Sequence, residues 1–229
     1  MNEMTQSKVQ HAASGIPLPA SNLQVEVVVE NLSKRFNREW IFRGLTTTFS
    51  SGKTYALTGP NGSGKSTLLQ LLWGQMPQTA GSVQYLIGNQ TIGVEEIYRE
   101  VSIATPYMDL IDEFTLEEQL DFHFSLRKIR KGLSQEEVID KMYLDHARNK
   151  QIGNFSSGMK QRLKLGLAFF TDTRMLFLDE PGTNLDNQAF GWYKTQLNEL
   201  PAEMLTIIAS NQPAEYPENA VNINIMDYK

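Results

Sequence analysis

One segment, residues 59–67, constrains the fold of this chain more than any other part of its sequence. It follows the pattern G-x-x-x-x-G-K-[ST] and consists of Gly59, Pro60, Asn61, Gly62, Ser63, Gly64, Lys65, Ser66 and Thr67. Backbone N–H groups of such a glycine-rich turn can surround a phosphate that side chains would obstruct. In this pattern the lysine reaches the β- and γ-phosphates of a nucleotide, and the hydroxyl that follows it binds Mg²⁺. The segment therefore predicts a phosphate-binding loop.

The flanking sequence has the periodicities that such a loop requires. Residues 54–58 are rich in β-forming side chains and predict a buried strand. The loop is followed at helical spacing by Leu68, Leu69, Leu71 and Leu72. A strand, a glycine loop and a helix in this order favour a phosphate site over the alternative, a glycine-rich turn that holds no ligand. The positive end of the helix dipole would face the same phosphates.

The composition excludes several classes of protein. The chain has 229 residues, 41% of them apolar and 21% charged, which predicts one globular domain or one domain with a subdomain. Its net charge of -5 argues against a nucleic-acid binder, and the absence of cysteine excludes disulfides and cysteine-bound metals. The sequence has no apolar run long enough to span a bilayer and no secretory segment. We therefore expect any role at a membrane to depend on a partner protein.

The chain divides into an N-terminal tail and one α/β domain. Residues 1–22 are polar and without periodicity, which predicts a flexible tail. We expect the domain to span residues 23–229. Further strands are predicted at residues 25–29, 83–87, 101–104, 175–178 and 205–209. The last two are continuous apolar runs of the type that is buried in parallel sheets.

The middle of the chain is predicted to be helical. Capping boxes begin at Thr115 and Ser134, each with a glutamate three residues later. They predict an amphipathic helix through Leu126 and a second helix towards Leu144. We therefore expect a helical insertion at about residues 106–165. It contains two histidines, interpreted as ordinary residues of that subdomain, His123 and His146.

Two carboxylates, Asp179 and Glu180, end the apolar run at residues 175–178. In a parallel α/β sheet the carboxyl ends of the strands form the ligand crevice. We predict that Asp179 holds Mg²⁺ together with Ser66, and that Glu180 polarises the attacking water as a general base. The alternative is a pair of solvated acids at a strand end.

These motifs in this order resemble the nucleotide-binding domain of the ABC ATPase family over residues 24–215. Residues 155–162 (Phe-Ser-Ser-Gly-Met-Lys-Gln-Arg) are similar to the family signature Leu-Ser-Gly-Gly-Gln. Asp186 ends a segment similar to the family D-loop, and Phe36 stands where the family stacks an aromatic ring on adenine. The resemblance implies an α/β fold: a P-loop NTPase core with a RecA-like, mostly parallel sheet, an N-terminal antiparallel β-subdomain and an inserted helical signature subdomain.

The signature segment predicts an anion site at a helix start. Ser156 can cap a helix that runs to Phe170, and Gly158 leaves its first turn without a side chain. In the family this anion is the γ-phosphate of ATP bound to a second subunit. The resemblance thus implies a homodimer, or a heterodimer with another ABC ATPase. The alternative is a core helix with an ordinary serine cap.

Three parts of the sequence depart from the family pattern. Ser157 and Met159 replace a glycine and a glutamine of the signature, although serine is small enough for the γ-phosphate contact to persist. Tyr107 occupies the place of a family glutamine and offers a hydroxyl but no amide. Asn211 stands where the family carries a histidine, so it can hydrogen-bond the γ-phosphate but cannot carry a positive charge.

The expected function is that of an ATP-binding subunit that powers an ABC transporter. Lys65, Glu180 and Asn211 would serve the hydrolysis of ATP bound with Mg²⁺, and we expect hydrolysis to be slow because position 211 lacks the histidine. The protein would lie in the cytoplasm, on the inner face of the cell membrane, docked on an integral-membrane permease. Two alternatives stay open: a soluble ABC ATPase that moves no solute, and a regulatory nucleotide-binding partner in a heterodimer.

Overall fold

Two β-sheets form the framework of the protein. The computed structural model describes residues 24–229, so the predicted tail at residues 1–22 lies outside the described part of the chain. The strands are β1 (Val25–Phe36), β2 (Glu39–Ser50), β3 (Thr54–Thr58), β4 (Ala80–Ile87), β5 (Gln90–Ile92), β6 (Val101–Ala104), β7 (Met175–Asp179), β8 (Leu205–Ala209) and β9 (Val221–Asn224). An antiparallel sheet has the order β2-β1-β4-β5, and a parallel sheet has the order β6-β7-β8-β3-β9.

Helices connect the strands of the parallel sheet. They are α1 (Lys65–Leu72), α2 (Leu116–Leu126), α3 (Gln135–Lys141), α4 (Ser157–Phe170) and α5 (Asn187–Asn198). Parallel neighbours need such crossover connections because a tight turn can join only antiparallel strands. The antiparallel N-terminal sheet, the parallel core and the helices between β6 and β7 match the predicted fold class.

The central strands of the parallel sheet are buried on both faces. In β7, Met175 and Phe177 pack into a cluster with α1 and the antiparallel sheet. Leu176 and Leu178 point the opposite way, into a cluster with α2, α3, α4 and α5. Successive side chains of a strand alternate between faces, so a strand covered on both sides must be apolar throughout. This explains why the sequence there shows a continuous apolar run.

The local sequence signals match the structure at most element ends. The strands predicted at residues 54–58, 101–104 and 205–209 have the predicted bounds, whereas β1 is seven residues longer than the predicted 25–29. Both capping boxes form as predicted. The second helix, however, ends at Lys141 and not near Leu144, because Tyr143 has a left-handed backbone with φ 53°.

The segment between β6 and β7 contains α2, α3 and α4. The last of these continues to Phe170, past the predicted end of the insertion at residue 165, and its later residues pack with α5 and the parallel sheet. The division of the chain into subdomains stays a prediction. Within residues 24–229, no helix has the length and apolar character needed to span a bilayer.

Candidate nucleotide site

The phosphate loop connects β3 to α1 and starts the helix without a side-chain cap. Gly64 is the residue that precedes α1, with φ 108°. Because glycine has no side chain, none of the first N–H groups of the helix is capped by this residue. A Cβ added at Gly64 would lie 2.4 Å from Cγ2 of Ile41, a residue of β2. The glycine is therefore required both by the left-handed conformation and by the close approach of the β1–β2 hairpin. The bare start of α1 offers N–H groups and a positive dipole end to an anion.

Two polar side chains inside this loop have few partners of their own. Lys65 is buried, and its Nζ donates to the carbonyl oxygens of Gly59 at 3.0 Å and Pro60 at 3.2 Å. Ser63 is also buried, and its Oγ has no hydrogen-bond partner within the described residues. Buried polar groups are normally paired. An ammonium held by two neutral carbonyls and an unpaired hydroxyl therefore fit a loop whose stronger partner is a phosphate.

The loop contacts the acidic end of β7 through Ser66 and Asp179. The Ser66 hydroxyl donates to Oδ1 of Asp179 at 3.0 Å, across 113 positions of sequence. Asp179 is only 3% exposed. Burial raises the pKa of Asp179, and the Ser66 hydrogen bond partly opposes this. A hydroxyl beside a buried carboxylate is an oxygen-ligand pair of the kind that Mg²⁺ prefers, so both residues fit the predicted ion.

Glu180, next in the chain, has an unusual backbone. Its φ of 44° lies in the left-handed region, which costs a non-glycine residue roughly 1–3 kcal/mol. Its N–H donates to the carbonyl oxygen of Ala209 at 2.9 Å, and its carbonyl oxygen accepts from the N–H of Thr183 at 3.1 Å. β7 thus ends at Asp179, and Glu180 begins a turn at the carboxyl edge of the sheet.

Asn211 lies beside the phosphate loop. Its Nδ2 donates to Oδ1 of Asn61 at 2.8 Å, and both side chains are exposed. β8 lies directly between β7 and β3 in the sheet, so the loop that follows β8 ends at the same edge as the phosphate loop and Glu180. The structure therefore brings three predicted segments together: the loop at residues 59–67, the acids at the end of β7, and Asn211.

The signature segment forms a capped helix start, as predicted. Ser156 precedes α4 and its hydroxyl accepts the N–H of Met159 at 3.2 Å. A Cβ on Gly158 would lie 3.1 Å from the carbonyl oxygen of Asn184, so a side chain there would press on the backbone of the loop before α5. Among the hydrogen bonds of residues 24–229, none joins Ser156 or Gly158 to residues 59–67. This helix start is therefore not joined by hydrogen bonds to the phosphate loop of its own chain.

Asp186 has a structural role that its motif did not predict. It precedes α5, and its Oδ1 accepts the N–H of Ala189 at 2.7 Å. An aspartate cap of this kind stabilises a helix by about 1 kcal/mol. Its predicted contact with nucleotide stays a prediction. Gln161 of α4 is a further link that the sequence did not indicate, since its Nε2 donates to the carbonyl oxygen of Pro181 at 3.0 Å.

Two other predicted positions are exposed. The ring of Phe36 is 43% exposed at the end of β1, with Nζ of Lys34 4.9 Å from its centroid. It belongs to the hairpin that contacts Gly64, so an adenine stacked there would lie near the phosphate loop. Tyr107 is 82% exposed after β6. The next glutamine along the chain, Gln119, lies within α2, where its Oε1 accepts the N–H of Ile111 at 3.2 Å.

Sequence reasoning missed one residue near the acidic end of β7, Glu215. It is 1% exposed, and burial raises its pKa; hydrogen bonding to Ser210 and Gly182 opposes this in part, whereas the charges of Glu180 and Asp179 add to it. It lies in a short turn after β8 where the sequence has no periodic pattern. The available signal was its position four residues after Asn211, which indicates proximity but not burial.

Known proteins are similar to this chain in sequence and in fold. The sequence profile described as "ABC transporter" matches residues 42–183, more than half of the chain. The Nod factor export ATP-binding protein I of Rhizobium sp. (strain N33) is 32% identical over 202 residues, which cover 85% of this chain and 65% of that protein. The "uncharacterized ABC transporter ATP-binding protein YybJ" of Bacillus subtilis (strain 168) is 30% identical over 195 residues, covering 82% of this chain and 86% of that protein.

A solved structure agrees at the level of the fold. An ABC transporter ATP-binding protein from Pyrococcus furiosus superposes with a TM-score of 0.74 at 21% identity, covering 89% of this chain and 98% of that one. A parallel α/β sheet with a phosphate loop before a helix and an acidic strand end beside that loop is the P-loop NTPase fold. The chain belongs to the ABC transporter family, although it spans less than two thirds of the length of several relatives that it matches. The predicted family and fold class are confirmed.

Proposed function

We propose that this protein binds Mg-ATP at residues 59–67 and hydrolyses it slowly to power a membrane transporter. The observation that carries this proposal is the hydrogen bond between Ser66 and Asp179, because it joins the phosphate loop to the acidic strand end in one site. ATP binding alone would need only the loop. The acidic residues beside it supply the groups that hydrolysis requires.

Each residue has a distinct role in the proposed reaction. Lys65 exchanges its two carbonyl partners for phosphate oxygens, since a charged acceptor forms the stronger hydrogen bond. Ser66 and Asp179 would hold the magnesium ion, which when bound would neutralise phosphate charge. Glu180 accepts a proton from the attacking water as general base. Asn211 donates a hydrogen bond to the γ-phosphate, and as a neutral group it stabilises developing charge less than a charged side chain would.

The site is proposed to be shared between two subunits. Ser156 and Gly158 start α4 without hydrogen bonds to the phosphate loop of their own chain, which leaves that helix start for a nucleotide on another copy. A head-to-tail pair would enclose two nucleotides between loop and signature. Phe36 and Asp186 are proposed as further nucleotide contacts.

The partner in the membrane is proposed to be a separate permease. The two relatives described above are named as ATP-binding proteins of export or transport systems. Docking on a permease would place this chain in the cytoplasm, at the inner face of the membrane. A second candidate function is that of a regulatory, weakly hydrolytic partner in a heterodimer. The neutral Asn211 at the γ-phosphate position favours it.

The proposal is tested by separating ATP binding from ATP hydrolysis. Lys65→Ala should weaken Mg-ATP binding at least about tenfold, whereas Glu180→Gln should retain binding and lose about 100-fold or more in kcat. Lys150→Ala, at an exposed lysine, is the matched control. Binding is measured by calorimetry and hydrolysis by phosphate release. Purification of the tagged chain from membranes should recover an integral-membrane protein; recovery from the soluble fraction alone would argue against the transporter.

A further inference from the structure

Glu215 is buried beside the acidic strand end, although the proposed mechanism does not use it. It ends the 3₁₀ turn Pro213–Glu215 and is 1% exposed. Its Oε1 accepts the N–H of Gly182 at 3.1 Å. Its carbonyl oxygen accepts the hydroxyl of Tyr193 at 2.6 Å. The turn after β8 is thus fastened by one residue both to the loop after β7 and to α5.

The loop after β7 is shaped to receive this carboxylate. A Cβ added at Gly182 would lie 2.4 Å from Oε1 of Glu215 and 2.9 Å from Cε2 of Phe190, so a side chain at position 182 would displace the carboxylate and press on that ring. The same loop is closed by the hydrogen bond from the N–H of Thr183 to the carbonyl oxygen of Glu180, at 3.1 Å. Glu215 therefore contacts the third residue of a turn whose first residue is the proposed general base.

Two hydrogen bonds join the loop after β7 to the segment after β8, one at each end of residues 209–215. At the near end, the N–H of Glu180 donates to the carbonyl oxygen of Ala209, the last residue of β8. At the far end, Glu215 accepts from Gly182. Asn211, which contacts the phosphate loop, lies between these two connections. A displacement of Asn211 would consequently be transmitted to the backbone that carries Glu180.

We infer that Glu215 is a positioning residue, which acts through Gly182 to hold Glu180 in its left-handed conformation and links that conformation to the position of Asn211. The inference rests on the proposed function, because the residue that is positioned is the proposed general base. Glu215 touches neither nucleotide nor water in this scheme. It sets the orientation of Glu180 and leaves the phosphate loop unchanged.

Variants at both ends of the contact test this role. Glu215→Ala removes the acceptor and should lower kcat at least about tenfold, with KM for ATP within about twofold of wild type. Glu215→Gln keeps an oxygen acceptor for Gly182 and should restore kcat to within about threefold of wild type. Gly182→Ala displaces the carboxylate and should also lower kcat. The double variant should lose no more than the worse single variant, since both remove one interaction. Glu218→Ala, exposed in the same segment, is the control.

A second measurement reports on the linkage without hydrolysis. In wild type, Mg-ATP should slow amide hydrogen exchange in residues 180–186 and 210–215 together; in Glu215→Ala it should slow exchange only in 210–215. Wild-type kcat in Glu215→Ala, a raised KM with unchanged kcat, or joint protection of both segments in that variant would each overturn the inference. If Glu215→Ala does not fold, Glu215→Gln and Gly182→Ala decide. If the wild-type protein hydrolyses no ATP, the proposed function is refuted. The hydrogen-exchange data would still show whether Glu215 links residues 180–186 to residues 210–215.

Discussion

Asn211 and Asn61 are joined by a hydrogen bond of 2.8 Å from Nδ2 to Oδ1, although 150 positions of sequence separate them. The bond links the loop after β8 directly to the phosphate loop. Asn61 is part of the segment predicted to surround the phosphates, and Asn211 is the residue predicted to contact the γ-phosphate. Nucleotide binding is therefore expected to exchange this bond for one to the phosphate, at little net cost.

Replacing Asn211 tests the prediction of slow hydrolysis. Asn211→Ala should reduce kcat several-fold, because one neutral donor to the developing charge is lost. Asn211→His should raise kcat roughly tenfold, which corresponds to about 1.4 kcal/mol of transition-state stabilisation. Steady-state phosphate release at saturating Mg-ATP measures both. A fast wild-type turnover that Asn211→Ala leaves unchanged would refute the prediction.

Ser66 and Asp179 should determine the dependence on Mg²⁺. Ser66→Ala removes the hydroxyl beside the buried carboxylate, so half-maximal hydrolysis should need at least about tenfold more Mg²⁺. Titration of Mg²⁺ at fixed ATP provides the measurement. Ser125→Ala, at an exposed serine of α2, is the control and should leave the titration unchanged. An unaltered Mg²⁺ requirement in Ser66→Ala would remove this residue from the proposed metal site.

Gly158 should determine whether two copies can close on nucleotide. A Cβ there would lie 3.1 Å from the carbonyl oxygen of Asn184 and would also cover the helix start. In the Glu180→Gln background, Mg-ATP should convert monomer to dimer, and adding Gly158→Val should prevent this at unchanged ATP affinity. Light scattering after size-exclusion chromatography distinguishes the two masses. Gly191→Ala, in open space on α5, is the control.

Persistent monomer in the Glu180→Gln variant would favour the alternative of a heterodimer. In that case the same Gly158→Val change should block association with the other ATP-binding subunit, because the signature start would face the nucleotide of that subunit. Dimerisation that is indifferent to Gly158→Val would instead show that the signature does not lie at the interface.

Stability should fall as the pH drops below about 6.5, owing to His123. Burial, with a contribution from Arg127, lowers the pKa of His123 from 6.5 to about 4. Its Nε2 lies 2.8 Å from Oγ1 of Thr171, whose hydroxyl donates to Leu167, so the neutral ring donates from Nε2. The unfolded chain then binds the extra proton more readily. The free energy of unfolding that depends on the neutral His123 ring is therefore fully present above pH 6.5 and falls as the pH is lowered towards 4. At pH 5, about 2 kcal/mol of it has been lost.

Urea unfolding at pH 7 and pH 5 measures this effect. His123→Gln keeps a donor for Thr171 and should reduce the loss of unfolding free energy between the two pH values by about 2 kcal/mol. His146→Gln, at an exposed histidine, serves as the control. Equal pH dependence in wild type and His123→Gln would contradict the assignment.

Local patterns allowed much of the fold to be predicted. The cap at Thr115 and the strand at residues 101–104 depend on a few neighbouring residues, so their chemistry can be recognised without the tertiary structure. Tyr143 was not predicted to end α3, because a left-handed aromatic residue has no reliable sequence signal. Glu215 was missed for a different reason: its burial depends on Gly182 and Tyr193, which belong to other elements.

The sequence by itself determined the chemistry of the separate segments: the phosphate loop, the acids at residues 179 and 180, and the serine-capped signature helix. Only the tertiary structure decided which of them meet. The parallel sheet has the order β6-β7-β8-β3-β9, so β3, β7 and β8 lie side by side although long connections separate them in the chain. Their carboxyl ends share one edge, which is why Ser66 reaches Asp179, Asn211 reaches Asn61, and Glu215 reaches the loop of Glu180.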